Sequence, residues 1–322
     1  MNWIKRFFKG LRNGRTAVIG VPYLWLIVFF MLPFLVLLRV SLTQIGPDGD
    51  PFAPLYTVVD GTVQWLLRYE NYLSIFRDNA GPDGQTGTLG QTIYFTAYLT
   101  SLKYATLTTL LCLTLGFPFA WFLARSRESL RTPMLTMVML PFWTPLLLRV
   151  YSWKGLLADR GLFNRIFMAL GLIDEPLHML YSDVSMLAGM TYIYLPFMIM
   201  PLYANLSKLD TRLLEAAYDL GASPFKAFWL VVVPLSRAGI IAGCMLVFIP
   251  ALGEFVIPSL LGGAENIMIG RVVWDEMFAA NNWPRAAALA VVMILMILIP
   301  LGIYSHYSGK QTQAQPRSKK GR

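Results

Sequence analysis

Glu254 is the residue whose position in this chain most strongly indicates chemistry. It lies in the segment PALGEFVIP, residues 250–258, inside an otherwise apolar stretch. A charge at the middle of a bilayer costs about 2.5 to 3.5 kcal/mol even on the lenient insertion scale, so such residues usually face a cavity or a partner. The prolines and the glycine are expected to break the helix, and irregular backbone at that depth is tolerated only beside protein or water. Such a carboxylate could bind a cation.

Arg149 is the residue that could instead neutralise Glu254. It stands sixteen residues into the third apolar span, and Glu254 stands sixteen residues beyond Ala238 in the fifth. At about 1.5 Å per residue the two residues reach similar heights, in the outer half of the membrane. One interpretation is a structural ion pair, and the other is a Glu254 carboxylate that lines the path of a cationic substrate. The two interpretations are compatible if the ion pair opens during transport.

Aromatic residues beside prolines are the other candidates for a substrate pathway. Trp143 lies in LPFWTP, and Tyr192 and Tyr194 lie in TYIYLPF. A pocket for an alkyl diamine would require an acid, ring faces that attract the ammonium groups and apolar walls for the methylenes. Most aromatic residues of membrane proteins belong to the core or to the interfacial belt, which is the competing interpretation.

Motifs for covalent or metal-assisted catalysis are missing from the sequence. It contains no HExxH, no GxSxG and no GxxxxGK[ST], the patterns of zinc hydrolases, serine hydrolases and P-loop ATPases. We therefore expect no catalytic residue, no metal site and no ATP-binding site on this chain.

The composition predicts that these residues are positioned by membrane-spanning helices. Hydrophobic residues make up 56% of the 322 residues and charged residues 14%, which suits a bilayer and not water. About 20 apolar residues cross the hydrocarbon core. By that measure the sequence predicts six transmembrane helices in an all-α integral membrane protein, at about 17–38, 93–124, 133–157, 185–206, 238–261 and 286–304.

The distribution of basic residues predicts the orientation. Seventeen of the 27 lysines and arginines lie in the two tails, in the loop at 125–131 and in the long loop between spans four and five. Loops with an excess of Lys and Arg remain in the cytoplasm. Both termini are therefore expected inside. The net charge of +9 is thereby explained without a nucleic-acid partner.

The loop at 207–236 is amphipathic and nearly charge-balanced. Asp210 is expected to cap a helix that begins at Thr211, and Gly221 to end it in a left-handed conformation. Leu213, Ala216, Ala217 and Leu220 would form one stripe. A second helix is expected to begin after Ser223, with Pro224 in its first position, and to end before Pro234. An amphipathic helix with small residues suits a groove of another protein, although an ordinary linker would look similar.

This loop resembles the EAA loop of the permeases of binding-protein-dependent ABC importers. The resemblance rests on Glu215, Ala216, Ala217 and Gly221, followed by VVVP at 231–234 where the family has Ile-x-Leu-Pro. It implies the type-1 ABC importer permease fold. It also implies that a coupling helix around these residues and Pro224 docks onto a cytoplasmic ATPase.

Longer segments at 17–38, 140–157 and 248–278 are similar to spermidine/putrescine permeases, most of all to the putrescine type. This similarity implies a bacterial inner-membrane subunit that forms half of a translocation pathway. Its partners would be a second homologous permease, an ATPase dimer that holds ATP and Mg²⁺, a periplasmic polyamine-binding protein and membrane lipid. Another cationic or amino-acid-like substrate remains open, and a secondary transporter is the competing class.

The expected organisation has five parts. Basic cytoplasmic tails occupy 1–16 and 306–322, the first transmembrane helix 17–40, a periplasmic loop 41–91, and the ABC transmembrane type-1 domain 92–305. A short amphipathic helix is expected at about 65–76 in the periplasmic loop.

Overall fold

The computed structural model describes residues 14–46, 50–59, 62–76 and 92–313. They fall into two compact units, one formed by the described part of 1–89 together with 275–292, the other by 90–274 together with the described part of 293–322. Most of the basic tail at 1–16 and the end of the tail at 306–322 lie outside the described residues. The predicted domain boundaries therefore stay predictions.

The first unit begins with a long apolar helix that contains one widened turn. Helix α1 (Gly14–Leu26) passes into a π-helical turn (Ile27–Met31) and then into α2 (Leu32–Ser41). Pro33 is the second residue of α2, just after the widened turn. A π-bulge accommodates a proline because it re-routes the hydrogen bond that the missing N–H cannot make.

A hairpin and a short helix follow in the predicted loop. Strands β1 (Tyr56–Val59) and β2 (Thr62–Trp65) pair antiparallel, and α3 (Glu70–Phe76) comes after them. The hairpin was not predicted, and the helix begins five residues later than the expected 65 because Trp65 belongs to β2. Threonine and valine favour strands, and a local pairing needs no long-range information. The amide of Asn71 donates to the carbonyls of Ser41 and Thr43 at 2.9 and 2.8 Å, which fixes α3 to the end of α2.

The second unit contains the helices of the predicted domain. Their bounds are α4 (Ile93–Arg125), α5 (Glu128–Met139), a 3-10 turn (Leu140–Trp143), α6 (Leu146–Leu157), α7 (Leu162–Ala169), α8 (Asp183–Leu206), α9 (Arg212–Asp219), α10 (Pro224–Ala227), a π turn (Phe228–Val232), α11 (Val233–Leu235), α12 (Arg237–Leu252), α13 (Val256–Leu261) and α14 (Ile269–Trp274). A π turn (Asp275–Ala279), which belongs to the first unit, and α15 (Trp283–Gln313), which belongs to the first unit up to residue 292 and to the second from 293, follow along the chain.

The core of this unit lies where α4, α8 and α12 pack together. Close approach depends on small residues, as is usual between membrane helices. At Gly243 of α12 an added Cβ would lie 2.6 Å from the Met198 sulfur of α8. The side chains of Met190, Met198 and Leu252 are fully buried in the same region.

Four helices are long and apolar enough to cross a membrane, and the number rises to six if each of two bent pairs is one span. The bent pairs correspond to predicted spans three and five. The third span is not one straight helix, because the chain turns by 94° between the segments Glu128–Trp143 and Leu146–Ala169. Thr144 is extended there (φ −93°, ψ 141°), as expected for a residue before a proline.

The fifth span is broken where the sequence predicts. Helix α12 ends at Leu252, the chain turns through Gly253 and Glu254, and α13 begins at Val256. The segment at 224–235 was expected to stop before Pro234. It instead runs through that proline by way of a π turn and bends by 69° into α12.

Candidate functional site

The predicted coupling segment forms two short helices joined at a left-handed glycine. Helix α9 begins at Arg212, one residue later than predicted, so its N-cap residue is Thr211, whose side chain makes no capping hydrogen bond. The carboxylate of Asp210 still accepts a hydrogen bond from the Arg212 amide, at 3.0 Å. Gly221 has φ +82°. The Ala222 amide donates to the Ala217 carbonyl at 3.0 Å, which closes the helix end as a Schellman turn does.

The second helix of this segment also begins as predicted. Ser223 accepts a hydrogen bond from the Lys226 amide at 3.3 Å, and Pro224 occupies the first helical position. Proline is suited to that position because its missing N–H would have no helical partner there.

The face that this segment presents outward is apolar and charged. Leu214 is 4% exposed and packs into the core, whereas Leu220 is 89% exposed. Leu213, Glu215 and Ala216 are exposed as well, and Ala217 is half-buried. In the predicted stripe, Ala217 therefore packs against the chain's own core, and Leu213, Ala216 and Leu220 are exposed. Leucines exposed together at the surface of a folded chain are typical of an interaction site.

Glu254 lies at the break between α12 and α13 and is 9% exposed. Its Oε1 accepts hydrogen bonds from the amides of Phe255, Val256 and Ile257 at 3.2, 3.0 and 3.4 Å. Its Oε2 accepts a hydrogen bond from the Tyr194 hydroxyl of α8. The carboxylate thus satisfies the amides of the first turn of α13 and joins that turn to α8.

The predicted ion pair of Arg149 and Glu254 is not formed. Neither residue takes part in an ion pair among the described residues. The Arg149 guanidinium lies 5.3 Å from the ring centre of Phe142, Phe142 packs edge-on against Phe197 at 5.0 Å, and Phe197 lies 6.3 Å from Tyr194. Three aromatic rings therefore stand in series between the two charges. The turn at Thr144 explains the failure, because the equal-height estimate assumed a straight third span.

The four predicted pathway residues divide into two pairs. Tyr194 and Glu254 are buried and hydrogen-bonded to each other. Trp143 is 85% exposed, and Tyr192 is exposed and lies 5.5 Å from Trp153, ring centre to ring centre. Tyr192 also lines two adjoining cavities, of about 360 and about 510 Å³. The pathway role of all four residues stays a prediction.

Sequence reasoning missed a polar network at one end of the same unit. The Tyr104 hydroxyl donates to the Asn266 side-chain oxygen at 2.7 Å, and the Asn266 amide donates to the Asp183 carboxylate at 2.6 Å. The Ser101 hydroxyl accepts the Ile269 amide at 2.7 Å. These contacts fix the loop between α13 and α14 to the beginnings of α4 and α8. The partners stand up to 168 residues apart in sequence, so no local pattern could indicate them.

The family of this chain is decided by a sequence model that covers its core. Residues 116–312 match the model of the binding-protein-dependent transport system inner membrane component. The chain belongs to this family. The permease is accordingly a multi-pass protein of the inner membrane and a transport subunit, as the coupling segment predicts.

Curated relatives agree over nearly the whole permease. The spermidine/putrescine transport system permease protein PotB of Salmonella typhimurium (strain SL1344) is 38% identical over 296 residues, which covers 90% of this chain and 94% of the relative. PotB of Escherichia coli (strain K12) is 39% identical over 280 residues, 85% of this chain and 92% of the relative.

A solved structure shares the fold. A chain of a bacterial ABC transporter that imports the acidic polysaccharide alginate matches with a TM-score of 0.65 and 14% identity, over 95% of this chain and 99% of the other. The predicted type-1 ABC importer permease fold is thereby confirmed. At that identity the likeness concerns the fold alone.

Proposed function

We propose that the permease is the membrane subunit of an ATP-driven polyamine importer that takes up putrescine or spermidine. The observation that carries this proposal is the 38 to 39% identity to PotB proteins over 85 to 90% of the chain. The aromatic and acidic residues around the broken fifth span are compatible with a substrate made of ammonium groups and methylenes.

The proposed assembly has four kinds of subunit. A second, homologous permease completes the pathway, and a periplasmic binding protein delivers the polyamine. Two cytoplasmic ATPase subunits hold ATP and Mg²⁺, so the permease itself needs no cofactor. The exposed face of α9 would dock on the ATPase, which requires the cytoplasmic orientation of both termini that the basic loops predict.

In the proposed cycle, closure of the ATPase dimer moves α9 and the Gly221 turn as a lever. The permease pair then opens outward and receives the polyamine, and ATP hydrolysis restores the inward-facing state. Within the pathway, Trp143 would contact the ammonium groups and methylenes. Glu254 would supply negative charge beside the pathway while it holds the break of the fifth span.

The test is uptake of labelled putrescine and spermidine in a strain that lacks polyamine importers and carries the permease with its partner subunits. Uptake should depend on ATP and should be competed by unlabelled polyamine. Uptake that persists after ATP is exhausted and collapses with the proton gradient would identify a secondary transporter instead. Competition by an amino acid, but not by polyamines, would refute the substrate.

A further inference from the structure

Arg149 is a cation without an anion inside the second unit. Its Nε is buried and has no hydrogen-bond partner, and no ion pair reaches its guanidinium from any acid in the described residues. Within the described part of the chain, the guanidinium contacts the ring of Phe142, 5.3 Å from its centre. A charge in a membrane-spanning unit is costly without a partner, so the site is incomplete in the isolated chain.

The polar groups that remain available in the cavity lined by Arg149 are mainly hydrogen-bond donors. It measures about 360 Å³ and is lined by Thr144, Leu148, Arg149, Ser152, Trp153, Leu156 and Tyr192. The hydroxyls of Thr144 and Ser152 already donate to the carbonyls of Pro141 and Leu148, at 2.7 and 2.8 Å. The N–H groups of Arg149, the indole of Trp153 and the phenol of Tyr192 remain available. Donors around a positive charge fit a carboxylate.

The position of Tyr192 along α8 argues against a lipid headgroup at the Arg149 guanidinium. Tyr192 stands nine residues after Asp183, the first residue of α8, which is about 14 Å along the helix at about 1.5 Å per residue. A hydrocarbon core is about 30 Å thick, so Tyr192 stands about half that thickness from the beginning of α8. A phosphate of the bilayer surface does not reach that depth, and a polyamine would be repelled by the guanidinium.

An apolar groove continues the cavity. It measures about 510 Å³, shares Trp153 and Tyr192 with the cavity, and is otherwise lined by apolar side chains and one threonine: Leu111, Leu115, Val184, Leu187, Ala188, Thr191 and Leu195. A small soluble anion would leave this groove uncovered. A helix that carries one acidic residue among apolar ones fits both parts, because its apolar side chains cover the groove while its carboxylate meets Arg149.

We propose that Arg149 receives an Asp or Glu side chain of the second permease, and that the adjoining groove receives the helix that carries it. This inference rests on the proposed function, which supplies the second permease. It assigns this face of α6 and α8 to the contact between permeases. Truncation of one partner of a buried charge pair leaves the other charge buried and unpaired, which weakens association strongly.

The test is co-purification of the second permease with the tagged chain, from cells that express the complete importer. Arg149→Met should reduce the recovered second permease at least ~tenfold, Arg149→Glu should reduce it further, and Arg149→Lys should retain most of it. Arg165→Met is the control, since Arg165 is an exposed arginine of α7. The amount of tagged chain in the membrane, measured in each sample, separates lost assembly from lost insertion.

A complex recovered with the wild-type chain but unchanged in every Arg149 variant overturns this inference and leaves the proposed function intact. Retained assembly with altered uptake overturns it too, because the cavity would then serve a transported or soluble anion. If Arg149→Met does not insert into the membrane, an exchange of the two charges between the permeases tests the pairing instead. Replacement of single intramembrane acids of the second permease by Arg should restore its recovery with Arg149→Glu at one position, and failure at every position contradicts the pairing.

Discussion

Tyr194 and Glu254, sixty residues apart, join two helices of the permease by one hydrogen bond between a phenol and a carboxylate. The same carboxylate accepts three backbone amides at the beginning of α13. Glu254 is therefore both a structural tie and a buried negative charge. These two roles can be separated, because Tyr194→Phe removes one hydrogen bond and leaves the charge in place.

Glu254→Gln should reduce polyamine uptake at least ~tenfold, since hydrogen bonds to charged groups contribute about 1.5 to 3 kcal/mol. Tyr194→Phe should leave uptake within about twofold of the wild-type rate. It should lower the free energy of unfolding of the purified permease by about 1 to 3 kcal/mol, the cost of an unsatisfied buried acceptor. Uptake kinetics and unfolding in detergent measure the two effects. Glu265→Gln, at an exposed acid, is the matched control. Equal loss of uptake in both Glu254→Gln and Tyr194→Phe would mean that the tie and not the charge matters.

Asn266 should control the mobility of the loop between α13 and α14. Its side chain bridges Tyr104 of α4 and Asp183 of α8, so Asn266→Ala removes both tethers at once. We expect faster amide hydrogen exchange at 262–268, by about tenfold or more, with little change in α12. Exchange monitored by mass spectrometry checks this. Exchange at 262–268 that stays at the wild-type rate would show that the Ser101 contact with Ile269 alone fixes the loop.

Local sequence patterns predicted the parts of the site that depend on local chemistry. The glycine at 221 adopts the left-handed conformation because the stop of an amphipathic helix requires it, and the break at Gly253 follows from the prolines around Glu254. The bend at Thr144 was missed. Two prolines in LPFWTP are compatible with a kinked span or with a turn of 94°, and contacts with the rest of the fold decide between them.

The sequence did not predict which side chains on different helices would contact each other. Arg149 and Glu254 were opposite charges at similar predicted heights, but the rings of Phe142, Phe197 and Tyr194 separate them. Helix periodicity reports which residues share a face and not which face meets which neighbour. The partner of Glu254 was among the predicted pathway residues, but nothing local joined the two.

Gly221→Val should uncouple transport from ATP hydrolysis while the chain still inserts. The φ of +82° costs an L-residue about 1 to 2 kcal/mol, more for a β-branched one, and no atom lies within 4 Å of an added Cβ, so the cost is conformational and not steric. Gly221→Asn should retain most uptake, because asparagine tolerates this conformation. Polyamine-stimulated ATPase activity of the reconstituted importer is the measurement. Gly155→Ala, in the interior of α6 with equal free space, should behave as wild type. If transport stays fully coupled to ATP hydrolysis in Gly221→Val, the conformation of this turn has no part in the mechanism.

Substitutions of Leu214 and Leu220, both in the predicted coupling segment, should have opposite effects on stability and on ATPase binding. Leu214 is buried in the chain's own core, so Leu214→Ala should destabilise the isolated permease by about 2 to 5 kcal/mol. Leu220 is almost fully exposed, so Leu220→Ala should leave the unfolding temperature unchanged and reduce recovery of the ATPase with the tagged permease. Thermal unfolding and co-purification, measured on both variants, give the contrast. An undiminished yield of ATPase with Leu220→Ala, and also with Leu220→Asp, would contradict docking at this face. If the ATPase buries Leu220 in an apolar pocket, Leu220→Asp must weaken docking, because nothing in such a pocket compensates the desolvation of the carboxylate.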